Sequence, residues 1–384
     1  GMIAWRQGDY EMAEQAYTQA LEVISDEERF HDEEAEVRYG LGLLYRQQGK
    51  YDEAQKQFDR DLILNRQLSN RQNEAKALNA LGVLEDWRRK FDDATRYYQD
   101  ALNIRLLVGD RAGVGASKLN LAQLLSKKGD YGQAEPLLLE ALKIQQEINN
   151  PWWEVLIWNE LGILYLMVGD LERAENCLSQ GLRLSKESEN NQGQAYVLCN
   201  LGQVFRERGD LEQAEQILTT GLALAEAQGD IQLEAIYNSD LALVSLLNKK
   251  FDECIQRSVF SLNQFRSLDI LLSTTTNLTA QATAYLAMNN QAEALRCTQE
   301  ALKILSDCSG EGPDFPHRDY WLCYQVLQAV GDTTAARQAL EAAFRLLMTQ
   351  ANKISNPAMQ KSYLENISYN VDIVRAAQAN HLSA

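Results

Sequence analysis

Apolar positions recur along this chain at helical spacing, interrupted at even intervals by short polar breakers. The breakers are Gly8-Asp9-Tyr10, Gly49-Lys50-Tyr51, Lys90-Phe91, Gly129-Asp130-Tyr131, Gly169-Asp170-Leu171, Gly209-Asp210-Leu211, Lys250-Phe251, Asn290-Gln291 and Gly331-Asp332. From Gly49 to Asn289 the step is 40 residues every time; the first step is 41 and the last 42. A small residue follows each breaker, at Ala13, Ala54, Ala94, Ala134, Ala174, Ala214, Cys254, Ala294 and Ala336. Ahead of the breakers stand Leu41-Gly42, Leu81-Gly82, Leu121-Ala122, Leu161-Gly162, Leu201-Gly202 and Leu241-Ala242. Small-then-leucine pairs come later in the period, at Ala20-Leu21, Ala101-Leu102, Ala141-Leu142, Gly181-Leu182, Gly221-Leu222 and Ala301-Leu302. Each period therefore predicts two helices. Gly and Ala let their backbones approach, while Leu and Tyr fill the space alongside. Asp52, Asp92, Asp170, Asp210 and Asp252 stand where an N-cap or first-turn acid favours a new helix. Pro151 suits a first helical turn.

One period reads Trp158-Asn159-Glu160-Leu161-Gly162-Ile163-Leu164-Tyr165, followed by Ala174 and Leu178. In other periods the last of these positions is aromatic, as Tyr17, Phe58 and Tyr98. This pattern resembles the tetratricopeptide repeat, W-x2-L-G-x2-Y…A-x3-F. The usual closing proline is absent, and the period is 40 residues where the common repeat has about 34. The longer form is similar to repeats of kinesin light chains and of bacterial regulatory proteins. The resemblance spans about residues 1–350 and implies an all-α chain, a right-handed α-solenoid of about eight and a half helix pairs. Residues 351–384 are then expected to form a C-terminal helical tail or cap.

Composition narrows the function. Only five of 384 residues are proline, which agrees with a helical chain. The net charge of −17 repels phosphate backbones and anionic lipid, so neither nucleic acid nor membrane is an expected partner. No apolar run approaches the ~18 residues of a membrane span, and the opening does not read as a secretory leader. Cys177, Cys199, Cys254, Cys297, Cys308 and Cys323 show no paired spacing and read as reduced, mostly buried thiols of a cytoplasmic protein. His31, His317 and His381 lie too far apart in sequence to suggest a metal site.

The two ends depart from the period. Met2 to Gln7 supply only part of a first helix, and Gly1 ahead of Met2 reads as a tag remnant. The expectation is a fragment of a longer polypeptide or a gene start placed too late; a short, frayed first helix is the alternative. Toward the other end, Ser309 to Pro316 form a breaker-rich loop. The segment after Lys353 resembles the one that ends repeat arrays in large bacterial signalling proteins.

No phosphate loop, dinucleotide fingerprint, zinc-protease motif, nucleophile elbow or EF-hand loop is present. Acid pairs such as Glu33-Glu34 and Asp92-Asp93 fall at helix starts, where the helix dipole accounts for them. No enzyme activity and no cofactor is implied. Basic residues near the turns (Arg46, Arg88-Arg89-Lys90, Lys127-Lys128, Arg206, Arg208, Lys249-Lys250) read either as dipole compensation or as a stripe for an acidic partner. Trp152-Trp153 read either as a partner anchor or as packing between repeats.

The resemblance implies that first helices line a concave groove. With the Gly or Ala of each Leu-Gly pair counted as position eight, four groove positions follow. Position six gives Asn120, Glu160, Asn200 and Asp240; position two gives Lys76 and Tyr196; position nine gives Gln123 and Gln203; position thirteen gives Trp87 and Lys127. An Asn amide can hold an extended backbone through both its C=O and its NH2. These ten residues are the candidate peptide-binding set. The expected function is a non-catalytic protein- or peptide-binding scaffold, the sensor or regulatory part of a bacterial signalling protein. Its partners would sit in the groove or belong to other domains of the same polypeptide. A self-standing adaptor or oligomerisation scaffold is the alternative, ahead of an RNA-binding repeat.

Overall fold

The computed structural model describes residues 10–24, 28–268, 270, 274–307 and 315–382. The first breaker's Gly8-Asp9, the half-helix before it, Cys308 and residues 309–314 of the expected loop lie outside these. Among the described residues there are nineteen α-helices, one short 3-10 turn and no strand. The chain divides into two compact units, residues 1–128 with 133–149, and residues 129–132 with 150–384.

In the first unit α1 spans Tyr10–Ile24, α2 His31–Gln47, α3 Tyr51–Gln67, α4 Arg71–Trp87, α5 Phe91–Val108 and α6 Arg111–Lys128. The next helix, α7 (Tyr131–Glu147), belongs to it from Gln133 on and carries Pro136 in its interior. In the second unit α8 spans Pro151–Met167, α9 Leu171–Glu187, α10 Asn191–Arg208, α11 Leu211–Gln228, α12 Ile231–Leu247 and α13 Phe251–Ser267. It continues with α14 (Thr274–Ala287), α15 (Gln291–Asp307), α16 (Pro316–Val330), α17 (Thr333–Lys353), α18 (Pro357–Glu365) and α19 (Ser368–Ala379). Within each unit first and second helices alternate in contact: α4 packs on α5 and α5 on α6 in the first, α10 on α11 and α11 on α12 in the second.

The Leu-Gly glycines set the distance within a pair. A Cβ on Gly42 would lie 2.5 Å from the Phe58 ring, on Gly82 2.6 Å from Tyr98, on Gly162 2.4 Å from Leu178 and on Gly202 2.5 Å from Leu218. Each partner stands four residues beyond the small residue of its second helix, and Ala54, Ala94, Ala174 and Ala214 are fully buried. The large side chain thus lies directly over the glycine, which is why a bigger first-helix residue cannot stand there. Burying a side chain of this kind contributes about 1.5–3 kcal/mol.

The turns are as regular as the cores. At the end of α2 the Gly49 N–H donates to Arg46 O (3.1 Å) and the Lys50 N–H to Tyr45 O (2.9 Å), the paired bonds of a Schellman motif. The motif needs a left-handed residue. Gly49, Gly129, Gly169, Gly209 and Gly331 supply it, while Arg89, Lys249 and Asn289 hold the same place at φ near 60°. Asp170 then caps α9 by accepting from the Arg173 N–H at 3.1 Å. Asp52, Asp92 and Asp252 sit inside the first turns of α3, α5 and α13.

Past residue 350 the last repeat helix runs on to Lys353, and Asn356 caps α18 through the Ala358 and Met359 N–H groups. From there α19 packs on α16 and α17. Ser355 Oγ donates to Asp130 Oδ1 at 2.6 Å, and Asn366 Nδ2 donates to the Gly169 carbonyl at 3.4 Å. The segment therefore reaches two breakers distant in sequence. His317 is buried at the root of this packing, its ring 6.1 Å from Tyr363 and 5.6 Å from Tyr369. Burial, then the adjacent Arg318 charge, pulls the imidazole from 6.5 down to about 3, against a hydrogen bond with Asn370.

Two expected outcomes follow from this packing. Gly162→Ala and Ala174→Leu should each destabilise by about 1–3 kcal/mol through overpacking, read as a lower urea midpoint; an unchanged midpoint contradicts the assigned register. For His317, the folded state favours the neutral ring, so stability is full above pH 6.5 and is lost as pH falls toward the depressed value. The slope should approach about 1.4 kcal/mol per pH unit below pH ~6. Urea titrations of His317→Gln should be flatter over that range; the same slope in both proteins would exclude His317 as its source.

Candidate functional site on the first-helix faces

The ten candidate residues fall five to each unit. In the first unit they lie on α4 and α6, where two rungs join the neighbouring first helices. Asn120 Nδ2 donates to Asn79 Oδ1 at 2.9 Å, and Lys127 Nζ pairs with Asp86 Oδ2 at 2.6 Å. Gln123 is half-buried between these rungs. Trp87 is 56% exposed at the end of α4, with its ring 6.4 Å from Tyr51 and the Arg46 guanidinium 5.9 Å from its centroid. Lys76 lies toward the other end of α4, its ammonium 4.0 Å above the Tyr39 ring. Trp87 and Lys76 are thus separated along the helix and do not share one contact surface.

In the second unit the residues lie on α8, α10 and α12. Asn200 Nδ2 donates to Asn159 Oδ1 (2.8 Å) and to the Tyr196 carbonyl (3.1 Å). Gln203 Nε2 donates to Asp240 Oδ2 at 2.8 Å, and Arg206 Nη1 donates to Asp240 Oδ1. Asp240 and Arg206 are buried. Burial opposes the Arg206 charge, but the Asp240 and Glu207 carboxylates outweigh it and hold its pKa above the ordinary value. Burial, reinforced by Asp240, raises the Cys199 thiol well above its usual range. Glu160 is half-buried, and Tyr196 is exposed beside Asn200.

This arrangement changes one expectation. Asp240, a candidate groove residue, is an internal counter-charge, and both asparagines are rungs between repeats. Their acceptors, Asn79 and Asn159, stand at position five, outside the four groove positions. The signal is in the spacing, because Asn79–Asn120, Asp86–Lys127 and Asn159–Asn200 are all 41 residues apart, one period plus one.

The basic turn residues also find partners inside the chain. Lys50 pairs with Glu14 (3.3 Å), Arg88 with Asp52 (2.5 Å), Lys128 with Asp92 (3.0 Å) and Lys250 with Glu215 (3.1 Å). Each joins a turn to the preceding second helix. Exposed pairs of this kind are worth about 0–1 kcal/mol each, but they use the charges that an acidic partner would need. Trp152 is 46% exposed, edge-on to the half-buried Trp153 at 5.3 Å. The five described cysteines are buried, and among the described residues no group of three acidic, His or Cys side chains could hold a metal ion.

The tetratricopeptide repeat family model matches residues 1–60, 69–147 and 153–227. The chain belongs to the tetratricopeptide repeat family. A second family, described as a C-terminal domain, matches residues 268–381 of the array and its tail. No curated protein matches the chain. Among solved structures it is similar to a signal transduction ATPase with numerous domains from Pyrococcus horikoshii, which has a tetratricopeptide sensor. The identity is 17%, covering 91% of this chain and 52% of that one, with a TM-score of 0.58. The apo quorum sensor NprR from B. thuringiensis is similar at 14% identity, over 79% of this chain and 84% of that one, with a TM-score of 0.59. A Rap protein complexed with competence and sporulation factor shares 13% identity over 97% and 99% of the two chains, with a TM-score of 0.54. At these identities the likeness is one of fold. No described helix of the array is long and apolar enough to cross a membrane.

The rungs make a stability prediction of their own. Asp240→Ala leaves the buried Arg206 with Glu207 alone, and losing one partner of a buried ion pair costs about 3–5 kcal/mol. A fall in melting temperature should therefore accompany Asp240→Ala, and an unchanged melting curve would place Asp240 outside the internal network.

Proposed function

We propose that this array is a non-catalytic binding scaffold that holds a protein segment against its first-helix faces, as the sensor or regulatory part of a larger bacterial signalling protein in the cytoplasm. One observation carries the reading. On α10, Tyr196, Asn200 and Gln203 line one face, with the exposed Tyr196 ring beside amides already oriented by Asn159 and Asp240. Amides fixed in this way lose little freedom when they bind a peptide backbone, which is the advantage of a preorganised site. Solved structures of this fold support the reading: one is a quorum sensor, one is complexed with competence and sporulation factor, and one carries a tetratricopeptide sensor. In this proposal residues 351–384 form the C-terminal cap, and the acidic surface selects a segment of basic character.

Replacing Asn120 and Asn200 together by Ala should weaken binding of the native partner by about 1–3 kcal/mol in a calorimetric titration. Since both amides are rungs, the melting temperature should fall slightly as well. Undiminished affinity in a folded double variant would move the interaction to another face. A chain that captures no partner but self-associates in light scattering would favour the oligomerisation scaffold.

A further inference from the structure

One period breaks the small-then-leucine rule. Ala20, Ala101, Ala141, Gly181, Gly221, Ser261 and Ala301 occupy that position in the other periods, and Asp61 occupies it in the second. A carboxylate here is enclosed by the repeat core, and Asp61 is only 2% exposed. Every other buried carboxylate among the described residues has a basic partner. Glu34 has Arg38 and Arg60, Glu74 has Arg66 and Arg71, Glu85 has Arg88 and Lys90, Asp240 has Arg206, and Asp319 has Arg318. Asp61 has none. Its side chain accepts one hydrogen bond, from Asn65 Nδ2 to Oδ1 at 2.6 Å, although a carboxylate offers about four acceptor sites. Asn65 is itself buried, and its Oδ1 is left without a partner.

Asp61 lines a pocket of about 280 Å³ together with Asp32, Glu36, Tyr39, Asn73 and Lys76. The Lys76 ammonium lies over the Tyr39 ring and forms no ion pair with Asp61. Burial raises the Asp61 carboxyl to about 7, with Lys76 and the Asn65 hydrogen bond opposing the rise. That is the behaviour of an enclosed carboxylate whose nearest cation acts through space and does not outweigh burial. A metal ion does not fit, since no three ligating side chains converge among the described residues.

We propose that this pocket between α2, α3 and α4 receives one organic cation, the ammonium or guanidinium of a Lys or Arg side chain on the bound segment, with Asp61 as its buried counter-charge. Glu36 and Asp32 add negative charge to the pocket, and the Tyr39 ring offers a face to the alkyl stem or the cation. The inference rests on the reading that the array binds a protein segment, and it names the side chain that this end of the array selects.

The test uses the whole chain and small probes, so that it does not depend on finding the partner. Nα-acetyl-lysine methylamide and Nα-acetyl-arginine methylamide are titrated while the resonances of Tyr39, Asn65 and Lys76 are followed by NMR, with Nα-acetyl-norleucine methylamide as the uncharged control. At least one cationic probe should give saturable shifts there, and norleucine should give none. Asp61→Ala installs the residue of other periods and should fold with an unchanged or higher melting temperature, while weakening the probe by about tenfold or more. Asp61→Asn, closer in size, should weaken it similarly. Equal probe affinity in either folded variant, equal response to norleucine, or absence of saturable shifts for both cations overturns the proposal. Native-partner affinity through Asn120 and Asn200 is read separately, so failure of this pocket and failure of the scaffold reading give different results.

Discussion

A glycine facing a large side chain sets the geometry on which everything else rests. Where Gly42 meets Phe58, Gly82 meets Tyr98 and Gly162 meets Leu178, the first helix lies so close to the second that even a methyl group has no room. The approach fixes the pair, and a pair repeated at a constant period brings equivalent residues of successive repeats to equivalent faces. The bonds between repeats then follow from arithmetic. First-helix rungs fall one period plus one apart, as in Asn79–Asn120 and Asn159–Asn200. Turn-to-helix ion pairs such as Lys50–Glu14 and Lys128–Asp92 fall a few residues short of a period. The core supplies the energy, and these polar contacts hold the register.

The fold was legible because each period states the same instruction again. A single Leu-Gly or a single Gly-Asp would carry little weight, but nine breakers with a small residue at a fixed offset leave little freedom. The turns were less legible. Arg89, Lys249 and Asn289 hold the left-handed place that glycine takes elsewhere, so composition at the turn varies while its hydrogen bonds do not. Pro136 lies inside α7, between the Ala134 and Ala141 that the period assigns to a second helix.

The candidate site was legible only in part, for a physical reason. Period counting says which face a side chain leaves from, but not what it meets across the next repeat. Asp240 therefore read as an exposed acid in the groove and is instead enclosed with Arg206 and Gln203. The basic turn residues read either as dipole compensation or as a stripe for an acidic partner, and Arg88, Lys90, Lys127, Lys128, Arg206, Arg208 and Lys250 are paired within the chain. Asp61 is invisible to a count of positions that obey the repeat, because its information lies in breaking it. In a repeat protein the consensus specifies the fold, and departures from it at buried positions are where a particular ligand can be written.

The central claim is that binding uses the first-helix faces, with Asp61 of α3 as the one second-helix contribution, while the other second helices and the turns serve the fold. Hydrogen exchange of the chain with and without its partner tests this most directly, since it reports on each helix separately. The account predicts added protection concentrated in the first helices α2, α4, α6, α8 and α10, with the second helices α5, α9 and α11 little changed. Protection confined to the second helices or to the turn edges would contradict it.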